Sequence, residues 1–434
     1  MTDLASPTVR VSTRPAETRR DIGIKRRYAA ERRFRAYGIS AIVLGLFFLA
    51  VLVTTVVSKG YTAFLQTTIT LPIEFSEKVI DPKNERATDA KQLMTANYPL
   101  LVRDALVKQL GLDATKRPLV KQATDMISAS ARTQLRNIVV ADPSIIGKTV
   151  PVTLLAEANI DSAFKGQIDL SVAETNRKVK DQQVAWMNEL ADAGILKTSF
   201  NTGIFTFGAS SRPEAAGVGV ALIGSLYMML IVLVLSLPIG VAASIYLEEF
   251  APKNRLTDLI EVNINNLAAV PSIVYGLLGL AVFINFAGLP RSAALVGGFV
   301  PTIIIATRAA LKAVPPSIRS AALGLGASKM QTIFHHVLPL AMPGILTGTI
   351  IGLAHALGET APLLLIGMVA FVVDFPGSPL EPSTALPVQI YMWANEAERA
   401  FVERTSGAII ILLIFLVFMN LGAILLRRRF ERRW

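Results

Sequence analysis

The chain has 434 residues, no cysteine, 52% hydrophobic and 17% charged residues, and a formal net charge of +11, with a mean hydropathy of +0.50. That is too apolar for an ordinary soluble domain. Without cysteine there are no disulfides, thiolate catalysis or cysteine-held metal, and three histidines make a structural zinc site unexpected. The positive charge sits at the ends of apolar runs, which fits the positive-inside pattern of membrane proteins better than a nucleic-acid surface.

Residues 1–38 are polar and arginine-rich, with RPAETRRDIGIKRRYAAERRFRAYG at their centre. No apolar core or small-residue cleavage site precedes Ile39, so the spacing predicts a loose basic tail rather than a cleavable signal. Such a tail is expected to stay on the cytoplasmic side and meet anionic headgroups. Residues 39–58 (Ile39 to Val57 in its apolar run) have the length to cross roughly 30 Å of hydrocarbon.

Residues 60–213 contain no spanning run and read as a small α+β domain on the far side of the membrane. Thr68 to Phe75 alternates as a strand does, and Thr149 to Leu155 reads as a second. Leu93 to Leu110 reads as a helix pair broken near Pro99, with further helices expected over Leu119 to Val140 and Val172 to Leu190. Gly147-Lys148-Thr149 mimics the end of a phosphate-binding loop, but Asp142 stands where that loop needs glycine, so the match is discounted.

The region 215–427 reads as a transmembrane domain. A second span covers 217–246, its glycines and serines suited to close helix packing. The following loop, LEEFAPKNRLTDLIE, carries an excess of acid against the positive-inside rule, which leaves the basic tails to set orientation. A third span covers 267–287, where Pro271 bends the chain and frees a carbonyl for Ser272 or a neighbouring helix to satisfy. A fourth covers 293–312, with Arg308 and Lys312 near its inner end.

Next comes VPPSIRSAALGLGASKMQTIFHHVLPLAMPG. Pro315 and Pro316 stop the preceding helix. Ser317 is placed to cap a short helix over Ile318 to Leu323, closed by Gly324 and Gly326. Ser328 and Gln331 form a capping box for a second helix, on which Met330, Ile333, Phe334 and Val337 share one face. By itself this fits an amphipathic segment on a membrane surface. A fifth span covers 343–369, a polar loop runs from Asp374 to Thr405, a sixth span covers 408–426, and 428–434 close the chain with basic residues. Six spans with both termini cytoplasmic put the 317–338 loop in the cytoplasm.

Glu359 falls inside the fifth span, where a charge costs about 2.5–3.5 kcal/mol on insertion scales and so calls for a partner. His355, four residues earlier, is on the same face. Glu359 is placed either to pair with it, to hold Arg308 as a gate, or to lock two helices together. Arg308 itself is close enough to the interface to snorkel.

Ala321-Ala322, Gly326 and Leu338-Pro339 resemble the EAA loop by which ABC importer permeases dock on their ATPase, with Ser320 where glutamate is usual and His336 where isoleucine is usual. SRPEAAGVGVALIGSLYMM, LPIGVAASIYLEEFAPK, VPSIVYGLLGLAVF and ALGETAPLL, spread over Ser211 to Arg427, resemble the phosphate-specific transport permeases, and the APLL after Gly358-Glu359-Thr360 is similar to their A-type subunit. The resemblance implies an all-α polytopic membrane protein, with the six transmembrane helices of the type I ABC importer permease fold and the α+β insertion after the first. It implies multi-pass residence in the bacterial cytoplasmic (inner) membrane. The implied partners are a second, PstC-like permease subunit, a PstB-like ATPase dimer, an extracytoplasmic PstS-like phosphate-binding protein, and membrane lipid. This chain would bind no cofactor and would not be an enzyme; ATP with Mg would be used by the ATPase, coupled through Ser320, Ala321, Ala322, Gly326, Leu338 and Pro339. An anion's path needs donors in place of water. The candidates are Arg308, His355, Ser272, Thr360 and freed N–H groups near Pro271 and Pro362, with Glu359 beside them and hinges at Pro271, Gly358 and Pro362. A permease for another oxyanion, such as molybdate or sulfate, and a membrane sensor with an extracellular head remain alternative readings.

Overall fold

The computed structural model describes residues 23–82, 91–267, 270–297 and 302–430. Residues 1–22 of the basic tail, part of the fourth predicted span, and the last four residues of the closing tail lie outside them. The chain forms two compact units, Met1–Thr55 and Val56–Trp434.

The first long helix, Ile24–Gly60, begins well before the apolar run. Residues 24–38 are therefore helical rather than loose. Ala29, Ala30, Glu31 and the neighbouring arginines are strong helix formers, and no proline interrupts them.

The insertion is built on a three-stranded antiparallel sheet in the order β2-β1-β3. β1 (Leu65–Glu74) buries Ile69, Leu71 and Ile73 on one face, and β2 (Thr149–Leu155) pairs with its second half. β3 (Leu196–Phe200) pairs with the first half. Pro72 falls where only β2 pairs, so its missing N–H costs the ladder nothing. The sequence did not disclose β3, because four of its five residues are exposed and it has no apolar alternation. Helices Tyr98–Gln109, Ala131–Ala141 and Asp181–Asp192 cover the buried face of β1 with Leu106, Leu135 and Trp186. The helix expected over Leu119 to Val140 is split into Arg117–Thr124 and Ala131–Ala141. Between them the chain turns to pair with the end of β2, where the Ser128 N–H donates to the Leu155 carbonyl at 2.9 Å. The helix expected over Val172 to Leu190 starts only at Asp181.

Among the described residues, four helices are long and apolar enough to cross a membrane: Arg26–Phe64, Gly219–Phe250, Lys329–Gly358 and Ala400–Arg429. A shorter apolar helix runs Ser272–Phe286. It starts where Pro271 permits, so it is shorter than the expected 267–287. The fourth expected span is represented by Ala294–Gly297 and Thr302–Lys312. The fifth ends at Gly358, and Thr360–Leu365 forms a separate short helix.

Two Leu-Pro pairs, Leu237-Pro238 and Leu338-Pro339, each follow a widened turn, at Val232–Ser236 and Thr332–Val337. Proline cannot donate to the helix ladder, and a π-type turn relieves the crowding it causes. The Thr302–Lys312 helix packs on Lys329–Gly358 through small residues. A side chain at Gly344 would meet the Ala310 Cβ at 2.7 Å, and one at Gly348 would overlap Ala306. This small-residue seam sets the pair that brackets the 315–338 elbow.

Candidate functional site

The elbow begins at Pro315, whose backbone is extended, and Pro316 occupies the first helical position, where a missing N–H is harmless. The helix is therefore Pro316–Gly324, and Ser317 lies within it rather than capping it. It closes in a Schellman motif. The Ala327 N–H donates to the Ala322 carbonyl at 3.1 Å and the Gly326 N–H to the Leu323 carbonyl at 3.0 Å. Gly326 takes φ +88°, a conformation that favours glycine. The capping box expected from the spacing is present: the Gln331 N–H donates to Ser328 Oγ at 3.2 Å, and the Ser328 N–H to Gln331 Oε1 at 2.8 Å.

Of the expected coupling residues, Ser320, Ala321 and Gly326 are exposed, Ala322 is buried, and Leu338 and Pro339 are half-buried. Leu323 and Leu325 project beside them, exposed by 50% and 90%. They were not singled out from the sequence, although two leucines flanking Gly324 on a polar loop are a signal. The predicted apolar face is divided. Ile333 and Val337 are buried, while Met330 and Phe334 line an apolar cavity of about 510 Å³ with Tyr246 and Phe250.

The acid excess of the 247–261 loop finds its cause here. Glu248, Glu249 and Phe250 end the second long helix, Gly219–Phe250. Glu261 accepts from Arg308 Nη2 at 2.5 Å and from Lys312 Nζ at 3.4 Å. Glu248 lies 3.7 Å from each of those cations. Glu249 Oε1 accepts from Arg319 Nε at 3.0 Å and Nη2 at 2.8 Å. The hydrogen bond from Arg308, with its positive charge and that of Lys312, holds the Glu261 carboxyl below the usual carboxylate range. The loop is acidic because the cations it must neutralise lie in the helix and elbow that follow. Arg308 is therefore held by Glu261 and Glu248, and of the alternatives open for Glu359 the hold on Arg308 is not formed. Arg308 Nε is buried with no hydrogen-bond partner.

Glu359 instead lies 3.7 Å from His355 Nδ1, four residues back in the last turn of the Lys329–Gly358 helix. Its backbone is extended (φ −98°, ψ 99°) and forms the break between Lys329–Gly358 and Thr360–Leu365, so the bend falls between Gly358 and Pro362. The short helix after Pro271 meets this break closely: a side chain at Gly276 would meet the Pro362 Cα at 2.7 Å. Glu359 is within electrostatic reach of Tyr275 on that helix, a residue the sequence reading did not name. Ser272 and Thr360 start the two packed helices. The structure thus separates the path candidates into a group at the bend and Arg308 in the elbow network.

Two family models match. Residues 236–434 match the model described as "Binding-protein-dependent transport system inner membrane component". Residues 21–174 match a domain of unknown function. The chain is 30% identical over 283 residues to the probable ABC transporter permease protein YqgI of Bacillus subtilis, covering 57% of this chain and 95% of that protein. It is 34% identical over 227 residues to the phosphate transport system permease protein PstA 1 of Mycobacterium tuberculosis, covering 50% of this chain and 73% of that protein. A solved structure of the MetNI methionine ABC transporter aligns with a TM-score of 0.40 at 19% identity, over 49% of this chain and 97% of that one.

Proposed function

This chain belongs to the binding-protein-dependent inner-membrane permeases of the PstA type, and from that membership we propose that it is one membrane subunit of an ATP-driven importer of inorganic phosphate. The observation that carries the substrate is the likeness to the mycobacterial phosphate permease over most of that protein's length. Both termini and the elbow face the cytoplasm in this reading, and the insertion faces outward. A second, PstC-like permease completes the pathway, a PstS-like protein delivers phosphate from outside, and a PstB-like ATPase dimer using MgATP drives the cycle.

The elbow is the ATPase-coupling surface. Ser320, Ala321 and Gly326 are exposed on it, and Leu323 and Leu325 supply apolar area where the usual glutamate is absent. ATP-driven closure of the ATPase moves the elbow helices, and packed helices pass that motion on as discrete rearrangements. At the bend, Ser272, His355 and Thr360 offer donors to an anion. Glu359, beside His355, either gates that passage or braces it.

Phosphate uptake by the reconstituted assembly, with and without ATP, tests the proposal, with sulfate and molybdate as parallel substrates. ATP-dependent accumulation of phosphate alone is expected, and transport of another oxyanion in its place overturns the substrate. Replacing Gly326 with tryptophan is expected to leave ATP hydrolysis but abolish uptake; full uptake in that variant would rule out the coupling assignment.

A further inference from the structure

Three consecutive residues at the end of the second long helix each hold a different piece of the chain between the inner end of the fourth span and the start of the third long helix. Glu248 faces Arg308 and Lys312 at the end of the Thr302–Lys312 helix. Glu249 holds Arg319 of the elbow helix. Phe250 lies under Lys329, whose ammonium is 5.0 Å from the ring centroid, at the start of the third long helix. The middle contact is the most fully built. Glu249 is 10% exposed and Arg319 22%. Besides its two bonds to Glu249, Arg319 donates to the Val314 carbonyl at 2.7 Å and the Leu311 carbonyl at 2.9 Å. Those carbonyls lie at the end of the Thr302–Lys312 helix, where a cation complements the helix dipole. One guanidinium therefore ties the elbow helix to two spans at once. Lysine, a point charge without the planar fork, could not make these four bonds together.

We propose that Glu249 and Arg319 are positioning residues that carry the elbow's displacement into the second long helix. Motion then reaches the membrane by two routes: along the chain, through Val314 and Pro339, and sideways through this pair. The sideways route rests on the permease reading above. Covalent continuity moves the Thr302–Lys312 helix and the third long helix, but not the second. The pair obliges the second long helix to move with the elbow helix and the Thr302–Lys312 helix, so the three act as one body. The elbow helix, Pro316–Gly324, carries no acid of its own to compete for Arg319.

The absence of cysteine allows a clean test. Spin labels on Ser317→Cys and Ala242→Cys, in the full assembly in lipid discs, report the distance between the elbow and the second long helix. One narrow distance, the same with and without ATP, is expected in the otherwise native chain, and a broad distribution in Glu249→Gln. In proteoliposomes, Glu249→Gln is expected to cut ATP-driven phosphate uptake at least tenfold while hydrolysis stays within twofold. Arg319→Lys should shift both readouts in the same direction, less far. Native uptake in Glu249→Gln, or a distance that changes with ATP in the native chain, overturns the proposal. So does equal loss of uptake and hydrolysis with the distance still narrow, since that is a fault elsewhere. If the native assembly accumulates no phosphate, the substrate reading falls, and the label distances alone decide the pair.

Discussion

Two clusters of charge join parts of this chain, and they are built differently. Where the insertion meets the helix Ala400–Phe430, Lys165 donates to Asp161 at 2.7 Å and to Glu403 at 3.1 Å, with all three side chains at most 7% exposed. The Asp161 carboxylate also accepts the Thr67 N–H at 2.8 Å, and buried Arg404 reaches the Ala63 carbonyl at 3.5 Å. Ser128 donates to Glu214 at 2.5 Å, just before the second long helix starts. At the elbow the cations span a range, from Arg308 at 8% exposed to Lys312 at 53%. Several partners there share charges at 3.4–3.7 Å. A desolvated network with its lone pairs filled has one arrangement and large penalties for any other. A half-wet network with shared partners can exchange them cheaply. The insertion is thus braced on the membrane part throughout, whereas at the elbow the Arg308 and Lys312 group can exchange partners and the Glu249–Arg319 pair is the part that holds.

The sharpest way to break that contrast is to empty the brace of its central cation. Lys165→Met leaves the buried Asp161 and Glu403 without their hydrogen-bonded cation, with only the Arg404 guanidinium still opposing their charge, and is expected to destabilise the chain by about 3–5 kcal/mol. The thermal unfolding midpoint in detergent measures it. Removing the acids' charge as well, in Lys165→Met with Asp161→Asn and Glu403→Gln, keeps an acceptor for the Thr67 N–H and should recover much of the loss. A Lys165→Met chain as stable as the native one would mean that water reaches this junction and that it is no brace.

A smaller effect is expected at the seam that carries the elbow. A side chain at Gly348 would occupy the space of Ala306 across the helix pair. Gly348→Val is therefore expected to cost about 1–3 kcal/mol of strain and to lower transport before it lowers assembly, because the helices flanking the elbow are forced apart. Unaltered uptake in this variant would show that the close approach is not needed for coupling.

Much of the membrane part could be read from the chain, because apolar length and proline placement act locally. The capping box at Ser328, the glycine turn at Gly326, the first two strands and the break near Pro362 all follow from short-range chemistry. What escaped the reading was long-range. Ser317 was expected to cap a helix that Pro316 had already begun. β3 escaped because one strand edge with a single buried residue has no periodicity. The sequence leaves Glu359 open to His355, to Arg308 or to a helix lock, and it does not disclose the partners that Arg308 does have. The acids that hold it lie far back in the chain, and only an unexplained excess of acid between 247 and 261 pointed to them. Pairing across such separations is set by packing, which composition does not encode.

The smallest effect concerns acid. The Arg308 hydrogen bond and charge place the folded-state pKa of Glu261 below its unfolded value. A carboxyl depressed in this way stabilises the fold above its unfolded pKa, and that contribution fades as pH falls through the lower, folded pKa. Glu261 is 38% exposed, so screening keeps the contribution slight. Between pH 8 and pH 5 the elbow should therefore hold its arrangement, loosening only below the ordinary carboxylate range. The mobility of a single spin label at Ser317→Cys, followed against pH, reads this directly. A transition centred near neutral pH would transfer the control to a group other than Glu261. The elbow would then be a pH-responsive joint, and the contrast with the brace would be one of chemistry and not of burial.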